Sequence, residues 1–150
     1  MVPFYVGSVN YEPTLNTGGA RVLLIRKDVY QMGQWNSSGV NTYANSTIDN
    51  WFNNTYKSML DSTVQSQMGT TAFKYTPGNG ENTVTTLERA VFALSLTELA
   101  KSGTAPGANT EGDTLPIAST LQVAYMNGNT IYQWTRSQHI GNLSLIPISD

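Results

Sequence analysis

The chain lacks cysteine, has a single histidine and carries few charges. Without cysteine there can be no disulfide, no thiol nucleophile and no cysteine-ligated metal. Charged residues make up 12% of the chain, about half the usual share, and the net charge is −2 with no basic block. The sequence therefore lacks the basic cluster that nucleic-acid-binding proteins use to contact phosphates. No apolar run approaches the roughly 18 residues that a membrane-spanning helix needs, so we expect no membrane insertion.

Asparagine, threonine, serine and glycine take the place of the missing charges. An uncharged polar surface of this kind is common in extracellular, fibre and virion proteins, and it is less expected of a cytosolic enzyme. The length of 150 residues suits one domain with one core. We therefore expect a single domain over residues 1–150, located on an extracellular surface or in a virion.

The strongest secondary-structure signal in the sequence predicts a helix between Ser46 and Leu60. Ser46 is a good N-cap, and Asp49 places a negative charge in the first turn. Apolar residues then recur at spacings of three and four, which is the helical period: Ile48, Trp51, Phe52, Tyr56, Met59 and Leu60. Because asparagine and threonine are mediocre helix formers, packing against a sheet must stabilise this helix.

The remaining elements alternate irregularly between strands and short helices. Hydrophobic patterns predict a central strand at 21–26 and further strands at 2–9, 70–76, 89–94, 130–137 and 143–148. A short helix follows Asp61, the capping box Ser95–Glu98 opens another, and a second amphipathic helix covers 116–126. The pattern indicates an α+β fold with a mixed or antiparallel sheet, two main helices and long loops.

Catalytic groups are sparse. His139 is the only histidine and has no convergent partners, so a polar surface residue is the simpler interpretation. No carboxylates are paired at a spacing that is recognisable for a hydrolase. We therefore expect no enzymatic activity.

Two loops rich in glycine, 77–82 and 103–113, contain the acidic residues Glu81, Glu111 and Asp113. Calcium prefers oxygen ligands from loops of this kind. However, no EF-hand spacing is present, and acidic residues also occur in turns for backbone reasons alone. We expect no cofactor and no metal site, with calcium in these loops as the open alternative.

Eight tyrosines and three tryptophans amid asparagine, serine and glycine resemble the composition of recognition surfaces. Rigid rings provide contact area there, and small polar side chains provide hydrogen bonds. The alternative is that most of these rings fill the core. We expect the core to contain Trp35, Trp51 and Trp134. The candidates for the surface are Tyr43, Tyr125 and Tyr132.

Four segments resemble, in order, the motifs of a bacterial and phage domain family of unknown function. They are an apolar strand followed by a Trp-Asn-Ser loop at 24–38, a helix carrying a Trp-Phe-Asn motif at 43–53, a Phe-x-Leu-Ser strand with a Thr-Glu helix at 91–99, and a Trp-x-Arg-Ser strand at 133–137. The resemblance covers residues 20–138 and depends on several motifs in the right order.

This resemblance implies a C-type-lectin-like fold, similar to the formylglycine-generating-enzyme branch of that superfamily. Such domains occur in phage tail or fibre proteins and in bacterial surface proteins. The formylglycine chemistry needs cysteines, so the resemblance does not carry that activity to this chain. The Gly-x-Arg-Pro-Ala ending of the family is also missing, so either residues 143–148 form the last strand or another chain completes the sheet.

The sequence thus predicts a non-enzymatic binding module of a phage virion or bacterial surface. It would recognise a host-surface glycan or protein through loops near 77–82, 103–113 and 127–139. The residues expected to contact the ligand are Asn79, Glu81, Asn109, Glu111, Asp113, Tyr125 and Arg136. For Arg136, the alternative is that it holds the end of the sheet.

The second hypothesis is a purely structural virion component, such as a capsid decoration or tail-assembly protein. Under either hypothesis, we expect other virion or surface chains as partners and a homo-oligomer.

Overall fold

The computed structural model describes residues 3–39, 41–101 and 108–138. Within these ranges the fold is a mixture of short helices and three two-stranded antiparallel sheets. The sheets pair β1 (Phe4–Ser8) with β2 (Leu23–Arg26), β3 (Thr71–Tyr75) with β4 (Thr85–Arg89), and β5 (Ala124–Met126) with β6 (Asn129–Ile131). The helices are α1 (Thr47–Asn50), a π-helical segment (Trp51–Tyr56), α2 (Lys57–Met59), α3 (Ser62–Gln67) and α4 (Ala118–Leu121). None of the helices in this part of the chain is long and apolar enough to cross a membrane.

The helix predicted after Ser46 is confirmed. The Ser46 hydroxyl accepts a hydrogen bond from the Asp49 amide at 3.2 Å, as an N-cap does. The central turns are π-helical, and the Asn53 side-chain amide donates to the Asp49 carbonyl at 3.0 Å. A side chain of the π-helical segment thus binds a carbonyl of the preceding α-helical turn, a local cause of the kind that distorts helices. The short helix after Asp61 is also confirmed, with the Asp61 carboxylate accepting from the Thr63 amide at 2.8 Å.

The strand predicted at 89–94 is wrong, because the observed strand β4 ends at Arg89. Beyond it, backbone groups bind side chains instead of a neighbouring strand. The Val91 amide donates to the Asn53 side chain at 3.2 Å, and the Ala93 amide donates to the Tyr43 hydroxyl at 2.9 Å. The apolar run packs against the core without forming a sheet ladder.

The helix predicted at 116–126 is also wrong, since α4 has only four residues and Ala124 begins β5. The turn at 127–129 accounts for this outcome. Asn127 and Gly128 both have positive φ, at 52° and 80°. Such a turn suits a hairpin, and it pairs β5 with β6 at the expense of the helix.

The capping box at Ser95–Glu98 forms both of its hydrogen bonds, yet no helix follows. The Ser95 amide donates to the Glu98 carboxylate at 2.8 Å, and the Glu98 amide donates to the Ser95 hydroxyl at 3.1 Å. Ala100 then adopts a left-handed φ of 57°, and the Lys101 amide closes back on the Leu96 carbonyl at 2.8 Å. This closure ends the element after one turn.

Two further strand predictions need correction. Within the described residues β2 pairs only with β1, so the run at 21–26 is not a central strand. The strand predicted at 130–137 ends at Ile131 as β6. The strand predicted at 143–148, residue His139 and the part of the 103–113 loop before residue 108 lie outside the described residues.

The buried core is mostly aromatic and aliphatic: Tyr11, Trp35, Tyr43, Phe73, Tyr75, Ala93, Leu96, Leu99, Leu115 and Leu121. Trp35 is in the core as predicted, and Trp51 is half-buried. The surface prediction for Tyr43 is wrong, because the Ala93 amide satisfies its hydroxyl inside the core. The core prediction for Trp134 is wrong as well, since 38% of this residue is exposed.

Candidate ligand-binding surface

The interior contains a fully buried ion pair between Arg136 and Glu98. The Arg136 Nη1 and Nη2 atoms donate to the two Glu98 oxygens at 2.7 and 2.9 Å. The remaining donors bind backbone carbonyls, including those of Lys74 and Ala93, each at 2.8 Å. The guanidinium also lies over the Phe73 ring, 4.8 Å from its centroid. All of the hydrogen-bonding capacity of Arg136 is therefore used within the protein.

Glu111 lies in the same buried network. Its carboxylate accepts hydrogen bonds from the Thr76 amide and the Ser137 hydroxyl, and its carbonyl accepts from the Ser95 hydroxyl at 2.7 Å. Glu111 and Arg136 were both predicted to contact a ligand, but neither has an exposed side chain. The structure instead gives both residues internal roles, and Arg136 takes the alternative role of holding the segment that contains it.

The surroundings of this network raise the pKa of both Arg136 and Tyr11. Burial is the largest single effect and lowers the pKa of Arg136. The electrostatic interactions with Glu98, Tyr11 and Glu111 and the hydrogen bond to Glu98 together outweigh burial, so the pKa is raised overall and the guanidinium stays charged. The Tyr11 hydroxyl donates to Glu98, and burial followed by the Glu98 charge raises the pKa of this tyrosine. The network therefore stabilises fixed charges and offers no exposed acid or base.

The two acidic loops meet through Asn109. Its side-chain amide donates to the Asn82 carbonyl at 2.6 Å and to the Thr76 hydroxyl at 3.2 Å. Asn79, with a left-handed φ of 53°, accepts a hydrogen bond from the Asn41 amide at 3.2 Å. Asn79 is exposed, whereas Asn109 is half-buried. The structure thus brings Asn79 and Asn109 into neighbouring segments as small polar groups.

Glu81 and Asp113 are exposed acidic residues on these same two loops. Among the described residues, no group of three histidine or acidic side chains lies close enough to hold a metal ion. The calcium alternative therefore finds no cluster of ligands in this part of the chain.

Tyr125 lies apart from these loops, on the β5–β6 hairpin. It sits opposite Thr130 in the hairpin register, and both residues are exposed. Exposure then alternates along the chain beyond β6: Tyr132 and Trp134 are exposed, whereas Gln133 is half-buried and Thr135 is buried. Exposed side chains therefore recur at every second residue, at Thr130, Tyr132 and Trp134.

A second segment, 29–33, lies along this hairpin. The Val29 amide donates to the Tyr125 carbonyl at 2.8 Å, and the Trp134 indole donates to the Gly33 carbonyl at 3.1 Å. The segment adds two more exposed side chains, Tyr30 and Met32. We call the resulting surface the aromatic face; its members are Tyr30, Met32, Tyr125, Tyr132 and Trp134.

The residues of the aromatic face lie in two stretches of sequence that contain no charged residue. There is no charged residue between Asp28 and Asp49, and none between Asp113 and Arg136. Sequence reasoning selected Tyr125 and Tyr132 for the surface, and both are exposed. It missed Trp134, Tyr30 and Met32. The absence of charge over both stretches, together with the alternation at 130–134, was the signal that would have pointed to them.

The structure defines an α+β protein built from small antiparallel sheets and short helices. Comparison with protein families matches residues 19–145 to DUF6273, a domain of unknown function, and the chain belongs to this family. No curated protein and no solved structure gives a significant match.

Proposed function

We propose that this chain is a non-enzymatic binding module with a C-type-lectin-like fold, carried by a phage particle or a bacterial surface protein. It recognises a host-surface glycan or protein, and the aromatic face is the principal contact surface. The observation that carries this proposal is the exposure of five large apolar or aromatic side chains on two uncharged stretches of the chain that hydrogen bonds hold side by side. Contiguous exposed groups of this kind mark interaction sites in soluble proteins.

The placement of the acidic and basic groups supports binding over catalysis. Glu98, Glu111 and Arg136 are buried and satisfied within the protein. A catalytic acid or base must reach the proton that it transfers, and these three groups have no exposed surface from which to do so. The aromatic face, by contrast, offers rigid rings next to small amide side chains, the combination that recognition surfaces use.

The motifs that carry the family resemblance meet in the interior. The Thr-Glu motif supplies Glu98, the Trp-x-Arg-Ser motif supplies Arg136 and Ser137, and these residues meet in one buried network. The Ser137 hydroxyl accepts from the Leu96 amide at 2.9 Å, which ties the two motifs together a second time. The motifs therefore serve the fold, and binding belongs to the surface that the fold presents.

Co-sedimentation of the purified chain with intact cells from a panel of bacterial strains tests this function. We expect binding to at least one strain, and we expect a Tyr125→Ser/Tyr132→Ser double variant to lose most of it. The matched control is Val9→Ser/Val64→Ser, which removes exposed apolar side chains outside the aromatic face. Absence of binding to any strain, or equal binding by the two double variants, contradicts the proposal.

A structural role in a virion is the second candidate, and the first sheet favours it. Val6 lies opposite Leu24 across β1 and β2, Phe4 lies two residues before Val6, and all three are exposed. The other side of the sheet presents Tyr5 and Ile25 to the core. A neighbouring chain that covers Phe4, Val6 and Leu24 would remove apolar area from water.

Analytical ultracentrifugation tests this second role. Self-association that is lost in Val6→Glu and kept in Val64→Glu supports it, because only the first variant places a charge on the exposed side of the sheet. A wild-type chain that stays monomeric at high micromolar concentration contradicts assembly through this sheet.

A further inference from the structure

We infer that the aromatic face binds an uncharged saccharide, with pyranose rings stacked on Tyr132 and Trp134. This inference rests on the proposed binding function and names its ligand class. The two exposed rings are separated in the chain by one half-buried residue, Gln133. Tyr132 is 62% exposed and Trp134 is 38% exposed, so both offer ring surface to a ligand.

The chemistry of a sugar matches these rings. A pyranose has a face of C–H groups, whose slightly positive hydrogens suit the negative face of an aromatic ring. The Trp134 ring is held before any ligand arrives, because its indole N–H is bound to the Gly33 carbonyl at 3.1 Å. A ring that is already oriented loses less conformational entropy on binding.

Exposed amide side chains can form hydrogen bonds with the hydroxyl groups of the sugar. Gln31 and Gln34 are exposed on or beside the segment that borders the hairpin, and Asn127 and Asn129 are exposed at the hairpin turn. Each side-chain amide has both donors and acceptors, as does each sugar hydroxyl. Exposed rings and exposed neutral amides on the same two segments can therefore match both the apolar and the polar surface of a saccharide.

The lack of charge selects an uncharged ligand over an acidic one. Neither stretch that forms the aromatic face has a charged residue of its own. The neighbouring Arg26 is engaged, because it donates to the Asp28 carbonyl at 2.9 Å and to the Tyr56 hydroxyl at 3.3 Å while lying over the Tyr30 ring. A uronic or sialic acid would find no dedicated cation here.

Affinity electrophoresis through gels that contain a defined polysaccharide tests the inference. The neutral probes are mannan, dextran, galactan and β-glucan, and the acidic probes are alginate and polygalacturonate. We expect at least one neutral polysaccharide to retard the wild-type chain. We expect Tyr132→Ala to weaken that binding by about 2- to 12-fold, the range for loss of one aromatic contact. Tyr132→Phe, which keeps the ring, should bind like the wild type.

Retardation by acidic polysaccharides only, by no polysaccharide, or equally for wild type and Tyr132→Ala overturns the inference. Circular dichroism of each variant verifies that the fold is kept. Treating cells that bind the chain with periodate or with proteinase K distinguishes failure of this inference from failure of the proposed function. Loss of cell binding after periodate treatment supports the saccharide. Loss after proteinase K but not after periodate identifies a protein ligand, which overturns the inference and leaves the proposed function standing.

Discussion

Arg136 and Glu98 form a two-point ion pair from which solvent is wholly excluded. The pair joins the segment that follows Trp134 of the aromatic face to the turn that follows the apolar run 91–94. The Arg136 amide adds a backbone hydrogen bond to the Leu94 carbonyl at 3.0 Å. This connection explains how an irregular segment after β6 is held without a long strand: a buried arginine replaces the sheet ladder.

Removing one partner of this pair should destabilise the protein strongly. Arg136→Met leaves the Glu98 carboxylate buried without its cation, and we expect the free energy of unfolding to fall by about 3–5 kcal/mol. Urea denaturation followed by tryptophan fluorescence measures the loss. The exposed Lys27→Met serves as the control and should change stability little.

The double variant Arg136→Met/Glu98→Met is the sharper comparison. Because it removes both charges together, its loss should be smaller than the sum of the two single losses. If the loss of unfolding free energy in the double variant equals the sum of the two single losses, a direct interaction between Arg136 and Glu98 is not the cause of the destabilisation.

A second ion pair joins the Ser46–Leu60 helix to the second sheet. The Arg89 Nε and Nη2 atoms donate to Asp49 at 2.8–3.0 Å, and Asp49 is buried whereas Arg89 is partly exposed. The Asp49 hydrogen bond is the main cause that raises the pKa of Arg89.

Asp49→Asn keeps the shape of the side chain but removes its charge. We expect it to lower the free energy of unfolding by about 1.5–3 kcal/mol, the range for a charged hydrogen bond. Asp61→Asn is the control, because Asp61 is an exposed N-cap and asparagine caps equally well. Thermal unfolding compares the two variants, and equal effects would contradict a special role for the Asp49–Arg89 pair.

Glu12 predicts a particular dependence of stability on pH. Burial is the largest cause that raises its pKa; Lys74 opposes this shift, and the charges of Asp113 and Glu98 add to it. The folded protein therefore retains a proton at pH values where the unfolded chain has lost it. Stability should fall as pH rises from the ordinary pKa of 4.5 through the raised pKa of the folded state.

Glu12→Gln should remove this fall, so the stability gained by the variant over the wild type should increase with pH. Urea denaturation at several pH values from 4 to 8 measures the difference. The exposed Glu81→Gln provides a charge-matched control. A difference between Glu12→Gln and wild type that is constant with pH would contradict the buried position of this carboxyl group.

Gly78 and Gly80 give a matched pair of glycine substitutions. Both have left-handed φ, at 80° and 92°. A Cβ at Gly78 would lie 1.9 Å from the Asn41 carbonyl oxygen, whereas a Cβ at Gly80 would meet nothing within 4 Å.

Gly80→Ala should therefore cost only the conformational term, about 1–2 kcal/mol. Gly78→Ala should cost about 1–3 kcal/mol more, because the added group overpacks the loop. Differential scanning calorimetry of the two variants tests the difference. Equal losses would show that the loop opens freely around Gly78.

Local signals in the sequence were reliable where neighbouring residues provide both partners. Ser46 with Asp49, Asp61 with Thr63 and the Ser95–Glu98 box all form the hydrogen bonds that their spacing predicts. The turn at Asn127-Gly128 follows from the same local logic. The family resemblance is likewise confirmed by the match to DUF6273, while its lectin-like fold and phage context stay predictions.

Residues whose partners are distant in the sequence were predicted less well. Nothing near Arg136 indicates Glu98 or the Lys74 carbonyl, so a cation next to a loop was taken for a ligand contact. The partner of the Tyr43 hydroxyl is the Ala93 amide, fifty residues further along the chain, so nothing near Tyr43 in the sequence indicates its burial. Trp134 was placed in the core because apolar area predicts burial, yet its indole binds the exposed Gly33 carbonyl.

The sequence alone determined an α+β chain with few charges, no cysteine chemistry, capped helix starts at Ser46 and Asp61 and a turn at 127–129, because these properties depend on composition and on residues a few positions apart. The tertiary structure decided which polar groups are buried and which rings are exposed. The physical reason is that a buried charge requires a partner, and for Arg136, Glu98 and Glu111 the fold provides it from distant segments. Once those charges are enclosed, the uncharged aromatic face remains as the surface on which recognition is to be sought.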